Sequence, residues 1–339
     1  LQPGVIQNPL FLPQSPGIGL LDLLVLSAPA HNQSVAHLTA IVHLCFALPG
    51  KAGCLCVYVE AFYPGRLLTV APDALILLVN YRHEDEVVTF IREQLLQQEQ
   101  VELTIVVCDN GSTDSDGFRK QLSAWKQVHY FSAGTNLGYF GGAAAGLKYF
   151  TQTIGELPSW TIVCNTDVEL PGRDFLYRLF SLSRGALVAA PAVHSTLSGH
   201  QQNPFREQRV SLSYLKFMRA IYSFYPLYFL YQLLAYVKRF FRRARTAEGV
   251  TRNVYAVHGT FFAFHRTFFA QGGSLQYGSF LFGEELFVAE QLAGMQSACR
   301  YVPELQIEHR EHASTGRFKS PGMVKYMKES TDYLIREVY

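Results

Sequence analysis

From Asp73 onward the chain alternates between two hydrophobic patterns. Ala74 to Val79, Leu103 to Cys108, Val128 to Phe131, Trp160 to Cys164 and Ala186 to Ala190 are continuous or nearly continuous apolar runs. Such runs predict strands buried on both faces. Between them, Glu84 to Gln97 carries Val87, Val88, Ile91 and Leu95 at helical spacing, and Gly141 to Phe150 reads as a helix entered through glycines. Further along, Val254 to His265 is strand-like, Glu284 to Leu292 is helical, and Ala298 to Val302 and Leu305 to Glu308 read as two short strands. A last helix is expected to begin near Pro321, because proline suits a first helical turn. Strands alternating with helices predict an α/β domain with a mostly parallel sheet. Ligands bind outside the carboxyl ends of the strands in such sheets. Three polar clusters fall there: Asn80-Tyr81-Arg82, Asp109-Asn110-Gly111-Ser112 and Asn165-Thr166-Asp167.

Two segments depart from this alternation. Residues 1–72 hold four charged residues (Asp22, Lys51, Glu60 and Arg66) but eight of the fifteen prolines, and show no clean period of 2 or 3.6. They read as an atypical extension that does not belong to the functional domain, which is expected to span 73–320 and to be followed by a C-terminal helix over 321–339. Within it, about 205–250 reads as a helical insertion. Tyr214 to Val237 is rich in Tyr, Phe and Leu, and Lys238, Arg239, Arg242, Arg243 and Arg245 follow directly. Residues 210–250 carry seven basic side chains against one acid, Glu248; that is +6, which leaves −4 for the rest of a chain whose net charge is +2.

Composition narrows the function classes. Apolar types make up 49% and charged types 17% of the 339 residues, too apolar for a disordered chain and too lightly charged for a coiled coil. A balance of +2 gives no global reason to expect nucleic acid. Of the six cysteines only Cys54 and Cys56 are close, and Cys108 and Cys164 sit inside apolar runs as small hydrophobes, so neither a disulfide framework nor an oxidising compartment is expected. No run reaches the roughly 18 apolar residues of a membrane-spanning helix. Ile18 to Leu26 is short and contains Asp22, and Val35 to Leu48 contains two histidines. The N-terminus also lacks the basic start of a secretory signal.

There is no G-x-x-x-x-G-K-[ST] phosphate loop, no G-x-S-x-G elbow, and no G-x-G-x-x-G after the first strand. The polar clusters each allow two readings. Asp109 to Asp114 (Asp-Asn-Gly-Ser-Thr-Asp) is either an ordinary turn or a carboxylate and hydroxyls placed to grip a base or ribose. Asn165-Thr166-Asp167 is either a cap or a hard-oxygen ligand for Mg²⁺ or Mn²⁺ carrying a diphosphate. Gly283-Glu284-Glu285 opens a helix, where acids complement the dipole and where one could serve as a general base. His309 is either a surface histidine or a metal or phosphate contact.

Taken together and in this order, the motifs resemble the family-2 glycosyltransferases of the GT-A fold. The resemblance covers Ala74 to His312 and rests on several pieces. These are the first strand into Asn80-Tyr81, Val106-Val107-Cys108-Asp109-Asn110-Gly111-Ser112-Thr113-Asp114, Asn136-Leu137-Gly138 with Gly141-Gly142, and Asn165-Thr166-Asp167. His258-Gly259-Thr260, Phe282-Gly283-Glu284-Glu285 and His309 complete the set. It looks most like bacterial members that build surface polysaccharides, such as rhamnosyl- and galactofuranosyl-transferases. The resemblance implies a nucleoside pocket lined by Asn80, Asp109, Asn110 and Ser112, with Asn136, Gly138 and Asn165 beside the donor. It implies Asp167 as the metal ligand of a D-x-D-like motif, His309 as a second metal or diphosphate contact, Glu285 as the base with Glu284 its neighbour, and His258, Gly259 and Thr260 on the acceptor side. Three positions depart from the family pattern: Asn165 stands first in the D-x-D motif, the base is Glu where Asp is commoner, and Ala145 replaces a frequent Asn.

The expected reaction is inverting, metal-dependent transfer from a UDP- or dTDP-sugar to a polysaccharide or lipid-linked glycan, with Mg²⁺ or Mn²⁺ as cofactor. A sugar-phosphate nucleotidyltransferase is the rival enzyme, but its glycine- and arginine-rich loop is replaced here by Asn80-Tyr81-Arg82-His83-Glu84. A non-catalytic relative that only binds nucleotide or membrane is the third possibility. The aromatic and basic segment 214–245 reads either as a helical hairpin packed on the domain or as an interfacial membrane patch. The latter implies a cytoplasmic protein held peripherally at the inner face of the cytoplasmic membrane, with no nucleic-acid partner.

Overall fold

The structure, a computed structural model, describes residues 40–47, 54–61, 71–240, 249–311 and 319–339. The chain divides into two compact units, residues 1–70 and 71–339. In the first, β1 (Ala40–Ala47) pairs antiparallel with β2 (Cys54–Ala61), Cys45 standing opposite Cys56 in the register. Both strands are almost continuously apolar, so neither shows the alternation that would have marked it. The side chains of the Cys54 and Cys56 pair lie outside the described residues, as do those of Lys238 and Arg239 and all of 241–248 and 312–318.

The second unit begins with β3 (Asp73–Asn80), α1 (Glu84–Phe90, continued by a π-helical turn over Ile91–Leu95), β4 (Glu102–Asp109), α2 (Ser115–Leu122) and β5 (Val128–Ser132). Next come α3 (Tyr139–Thr153), β6 (Trp160–Cys164), the short β7 (Val168–Glu169), α4 (Phe175–Leu182) and β8 (Val188–Ser195). α5 (Leu212–Tyr222) and α6 (Tyr225–Phe240) form a hairpin. β9 (Arg252–Val254), β10 (Phe261–His265), α7 (Arg266–Ala270), α8 (Glu284–Gly294), β11 (Cys299–His309) and α9 (Pro321–Tyr333) complete the unit.

The sheet has nine strands in the order β5-β4-β3-β6-β10-β8-β11-β7, with β9 paired to β11. β5, β4, β3, β6, β8 and β11 run one way; β10 is inserted antiparallel between β6 and β8, and β7 and β9 run against β11. The expected α/β architecture with a mostly parallel sheet is therefore present. Each central strand buries both faces. In β3, Leu75 and Leu77 join the core shared with α3, α7 and α8, while Ala74, Ile76 and Leu78 face α1, α2 and α4. That two-sided burial is why these strands read as unbroken apolar runs.

The pattern misplaced three strand features and missed two helices. Val254 to His265 is not one strand but the end of β9 and then β10, separated by the loop that carries His258 and Gly259. The two short strands expected at 298–308 are one strand, β11, whose pairing with β8 shifts register between Val302 and Gln306. The fifth run forms strand from Val188, not Ala186. α2 and α4 were not singled out: each is only eight residues long, α2 buries only Phe118 and Leu122, and α4 buries Phe175, Leu176, Leu179 and Phe180.

Candidate functional site

The three polar clusters gather at the carboxyl ends of β3, β4 and β6. Asp109 ends β4 and is 1% exposed. Its Oδ1 accepts from Asn80 Nδ2 (3.0 Å) and the Gly111 N–H (3.1 Å); its Oδ2 accepts from Ser112 Oγ (2.6 Å) and the Tyr130 hydroxyl (2.7 Å). Burial pushes this carboxyl up, but those hydrogen bonds outweigh it and hold Asp109 below its ordinary pKa. Asp109 is thus the buried knot that shapes the loop after β4, and Asn80 ties the loop after β3 to it, accepting the His83 N–H (3.1 Å) through Oδ1. Asp114, at the end of the same motif, caps α2 by accepting the Gly117 N–H (2.9 Å).

Asn110 reaches the glycine-rich turn. Its Nδ2 donates to the Gly138 carbonyl (2.9 Å) and to Asn136 Oδ1 (3.3 Å), and Asn136 Oδ1 also accepts the Gly138 N–H (3.0 Å). Gly138 has φ 75°, and a Cβ there would lie 1.9 Å from the Phe280 carbonyl oxygen, so only glycine fits.

Asp167 and His309 meet through strand pairing. β7 follows Asp167 directly and runs antiparallel to β11, placing His309 beside Val168, and the Arg310 N–H donates to the Asp167 carbonyl (2.9 Å). His309 Nε2 lies 3.3 Å from Asp167 Oδ2, both side chains being nearly buried. His309 Nδ1 donates to Gln202 Oε1 (2.7 Å), which fixes the ring and turns Nε2 toward the carboxylate. A carboxylate oxygen and an imidazole nitrogen facing one point suit a divalent cation that takes its other ligands from substrate oxygens. No group of three or more His, Cys, Asp or Glu side chains suited to a metal ion occurs among the described residues. Asn165 donates its backbone N–H to the Thr260 carbonyl (2.9 Å), and Thr166 donates to Glu86 Oε1.

Glu284 and Glu285 open α8 after two left-handed residues, Phe282 (φ 69°) and Gly283 (φ 85°). Ser330 of α9 holds that turn by donating to the Phe282 carbonyl (2.6 Å). Glu285 Oε1 accepts the Gly259 N–H (3.2 Å), and a side chain at 259 would crowd it. Burial pushes both carboxyls up, Glu284 to about 8 with the charge of Glu285 adding to the shift. His258 Nδ1 accepts from the Thr260 N–H (3.2 Å) and pairs with its hydroxyl (2.7 Å), so the ring proton is on Nε2. Burial, and then the neighbouring His309, push its pKa down to about 3, so it stays neutral.

All the residues expected at the site therefore belong to one neighbourhood, through several partners that the motifs did not contain. Tyr139 donates to the Gly259 carbonyl (3.1 Å). Burial pushes its phenol well above the usual range, and the charges of Cys164, Glu284, Asp167 and Glu285 push it the same way. Gln202 orients His309, and Asn203 accepts the His258 N–H (2.8 Å) while donating to the Pro191 carbonyl (2.6 Å). Tyr139 was findable as the residue after Gly138. Gln202 and Asn203 lie in a polar stretch without pattern, and nothing in the sequence singles them out.

Residues 76–272 match the family described as Glycosyl transferase family 2. A Haloferax volcanii protein, the low-salt glycan biosynthesis hexosyltransferase Agl10, is 25% identical over 123 residues, which is 36% of this chain and 37% of that protein. Among solved structures, GalNAc-T7 with UDP, GalNAc and Mn²⁺ aligns at TM-score 0.47 and 14% identity over 77% of this chain and 48% of that one. The mannosyltransferase PcManGT of Pyrobaculum calidifontis, with GDP-Man and Mn²⁺, aligns at 0.43 and 14% over 79% and 72%. The chain thus covers less than half of the hexosyltransferase and of GalNAc-T7.

Proposed function

The chain belongs to glycosyl transferase family 2, and from that premise we propose that it is an inverting, metal-dependent transferase. It moves a sugar from a nucleoside diphosphate, UDP or dTDP, to a glycan or lipid-linked glycan of a surface polysaccharide. The observation that carries this reading is the pairing of Asp167 with His309 at 3.3 Å, with Glu285 held nearby by the N–H of Gly259, the residue whose carbonyl Tyr139 holds.

Each residue then has a task. Asn80, Asp109, Asn110 and Ser112 shape the nucleoside pocket, and Asn136, Gly138 and Asn165 flank the donor. Asp167 and His309 would hold Mg²⁺ or Mn²⁺, which supplies countercharge to the departing diphosphate. Glu285 removes the acceptor proton as the hydroxyl attacks the anomeric carbon from the face opposite the diphosphate, and the configuration inverts. Burial raises the pKa of Glu285, which makes it a stronger base than an ordinary carboxylate. His258, Gly259 and Thr260 border the acceptor. The catalytic domain is 73–320 with residues 1–72 outside it, and the protein acts peripherally at the inner face of the cytoplasmic membrane. Among the described residues no helix is long and apolar enough to cross a membrane.

The test pairs turnover with donor binding. Loss of a general base typically lowers turnover about 10²–10⁴-fold, and Glu285→Gln is expected to fall in that range. The variant should keep the Mn²⁺-dependent rise in Tm that UDP or dTDP gives the wild type. Near-normal turnover would remove Glu285 from the role, and a wild-type protein whose Tm ignores every nucleoside diphosphate would overturn the donor assignment.

A further inference from the structure

We propose that the α5–α6 hairpin is a docking face for an anionic lipid bilayer. This deepens the peripheral placement proposed above and does not depend on the transfer chemistry.

α6 is apolar over most of its circumference. One side carries Tyr225, Tyr228 and Tyr231 at three-residue spacing. It packs with Ile221 of α5 and Val324 of α9, and Tyr228 is 1% exposed. Tyr225 donates from its hydroxyl to the Lys319 carbonyl (3.3 Å), and Arg219 of α5 pairs with Asp332 of α9 at 2.5 Å, so the hairpin is fastened to the domain. The other side carries Leu227, Leu230, Leu234 and Val237 in steps of three, four and three, a single helical face. That face is uncovered: Leu234 is 61% and Leu230 51% exposed, and Phe224 in the turn between the helices is 62% exposed. Nine of the thirteen large apolar side chains exposed among the described residues belong to α5, α6 or that turn, so the patch is one contiguous feature and not scattered surface.

The occupant follows from length and charge. Tyr225 to Val237 has no charged residue but is only about two thirds of the length that spans a bilayer, which suits a helix lying in the interface. Lys238, Arg239, Arg242, Arg243 and Arg245 follow at once, so a dense positive charge adjoins the apolar face in the chain. Apolar side chains that enter the acyl boundary beside cations that pair with lipid phosphates are what an anionic bilayer rewards. A second copy of the chain fits less well, because it would bring two segments of +6 together. The hairpin is also rooted near the proposed acceptor loop. Tyr214, in the first turn of α5, accepts a hydrogen bond from Arg206 (3.3 Å), and Arg206 pairs through its backbone with Ala256, two residues before His258. Docking through α6 would bring a lipid-linked acceptor toward that loop.

The experiment is co-sedimentation of the full chain with vesicles of phosphatidylcholine alone or with about one third phosphatidylglycerol. The wild type is expected to bind the anionic vesicles at low salt and to release as salt rises. The double variant Leu230→Glu, Leu234→Glu, and separately Phe224→Ser, should weaken that partitioning by about tenfold or more. Both should keep the Mn²⁺-dependent response to nucleoside diphosphate, which reports a folded domain. Failure of the wild type to bind anionic vesicles, or equal binding by wild type and variants, overturns the docking face. So does a concentration-dependent dimer by light scattering that the variants dissolve, without vesicle binding. Vesicle binding by a protein that shows no nucleotide response would leave this face standing and sink the transfer reading instead.

Discussion

Glu284 and Glu285 are neighbours in the chain but not in environment. Glu284 is 6% exposed, and Glu285 is partly exposed and accepts the Gly259 N–H. The carboxyl of Glu284 is pushed from an ordinary 4.5 up to about 8 by burial and by Glu285. A carboxyl raised on folding binds its proton more tightly in the native than in the unfolded chain across that interval. The contribution of Glu284 to native stability therefore declines as pH rises from about 4.5 to about 8, and Glu284→Gln removes that share of the pH dependence. The variant is expected to melt higher than the wild type at pH 8, with the difference shrinking toward pH 4.5 in a series of thermal scans. A difference that is constant with pH would show that Glu284 does not titrate in this window. Asp109 illustrates the opposite outcome: although its side chain is also shielded from solvent, it is held charged because four donors converge on it.

At the level of elements, α3 decides how closely the glycine-rich turn can approach the strand ends. Gly142 lies one turn into it, where a Cβ would stand 2.7 Å from Val79 Cγ1 and 3.1 Å from Asn110 Nδ2. Those atoms belong to β3 and to the residue that holds Gly138, so a larger side chain at 142 must lift α3 or displace Asn110. Overpacking of this kind costs about 1–3 kcal/mol, and Gly142→Val is expected to lower Tm by several degrees and to weaken the response to nucleoside diphosphate. Gly155→Ala is the control, since nothing lies within 4 Å of its Cβ position. If Gly142→Val were as harmless as Gly155→Ala, the close approach of helix and strand would not matter to the site.

Across the whole molecule, residues 71–339 form one compact unit with its own two-layered core. A chain beginning at residue 71 is expected to unfold cooperatively and to keep the nucleotide response, by the same thermal scans; loss of either would give residues 1–70 a part in the domain. The sequence by itself determined the central strands, most of the helices around them and the polar clusters at the strand ends. A strand buried on both faces must be continuously apolar, and the turn that follows must supply polar groups, so both signals are local. The α5–α6 hairpin was legible for the same reason, as an aromatic stretch between charged segments. Sheet order was not local. β10 enters antiparallel between β6 and β8, and it is this insertion that sets Thr260 against Asn165 and ends the loop where Gly259 meets Glu285. The pairing of β7 with β11 likewise sets Asp167 against His309, and Gln202 then fixes the ring. Such contacts join residues far apart in the chain through hydrogen-bonded register, and register is chosen by the packing of the whole sheet, so only the tertiary structure could decide them.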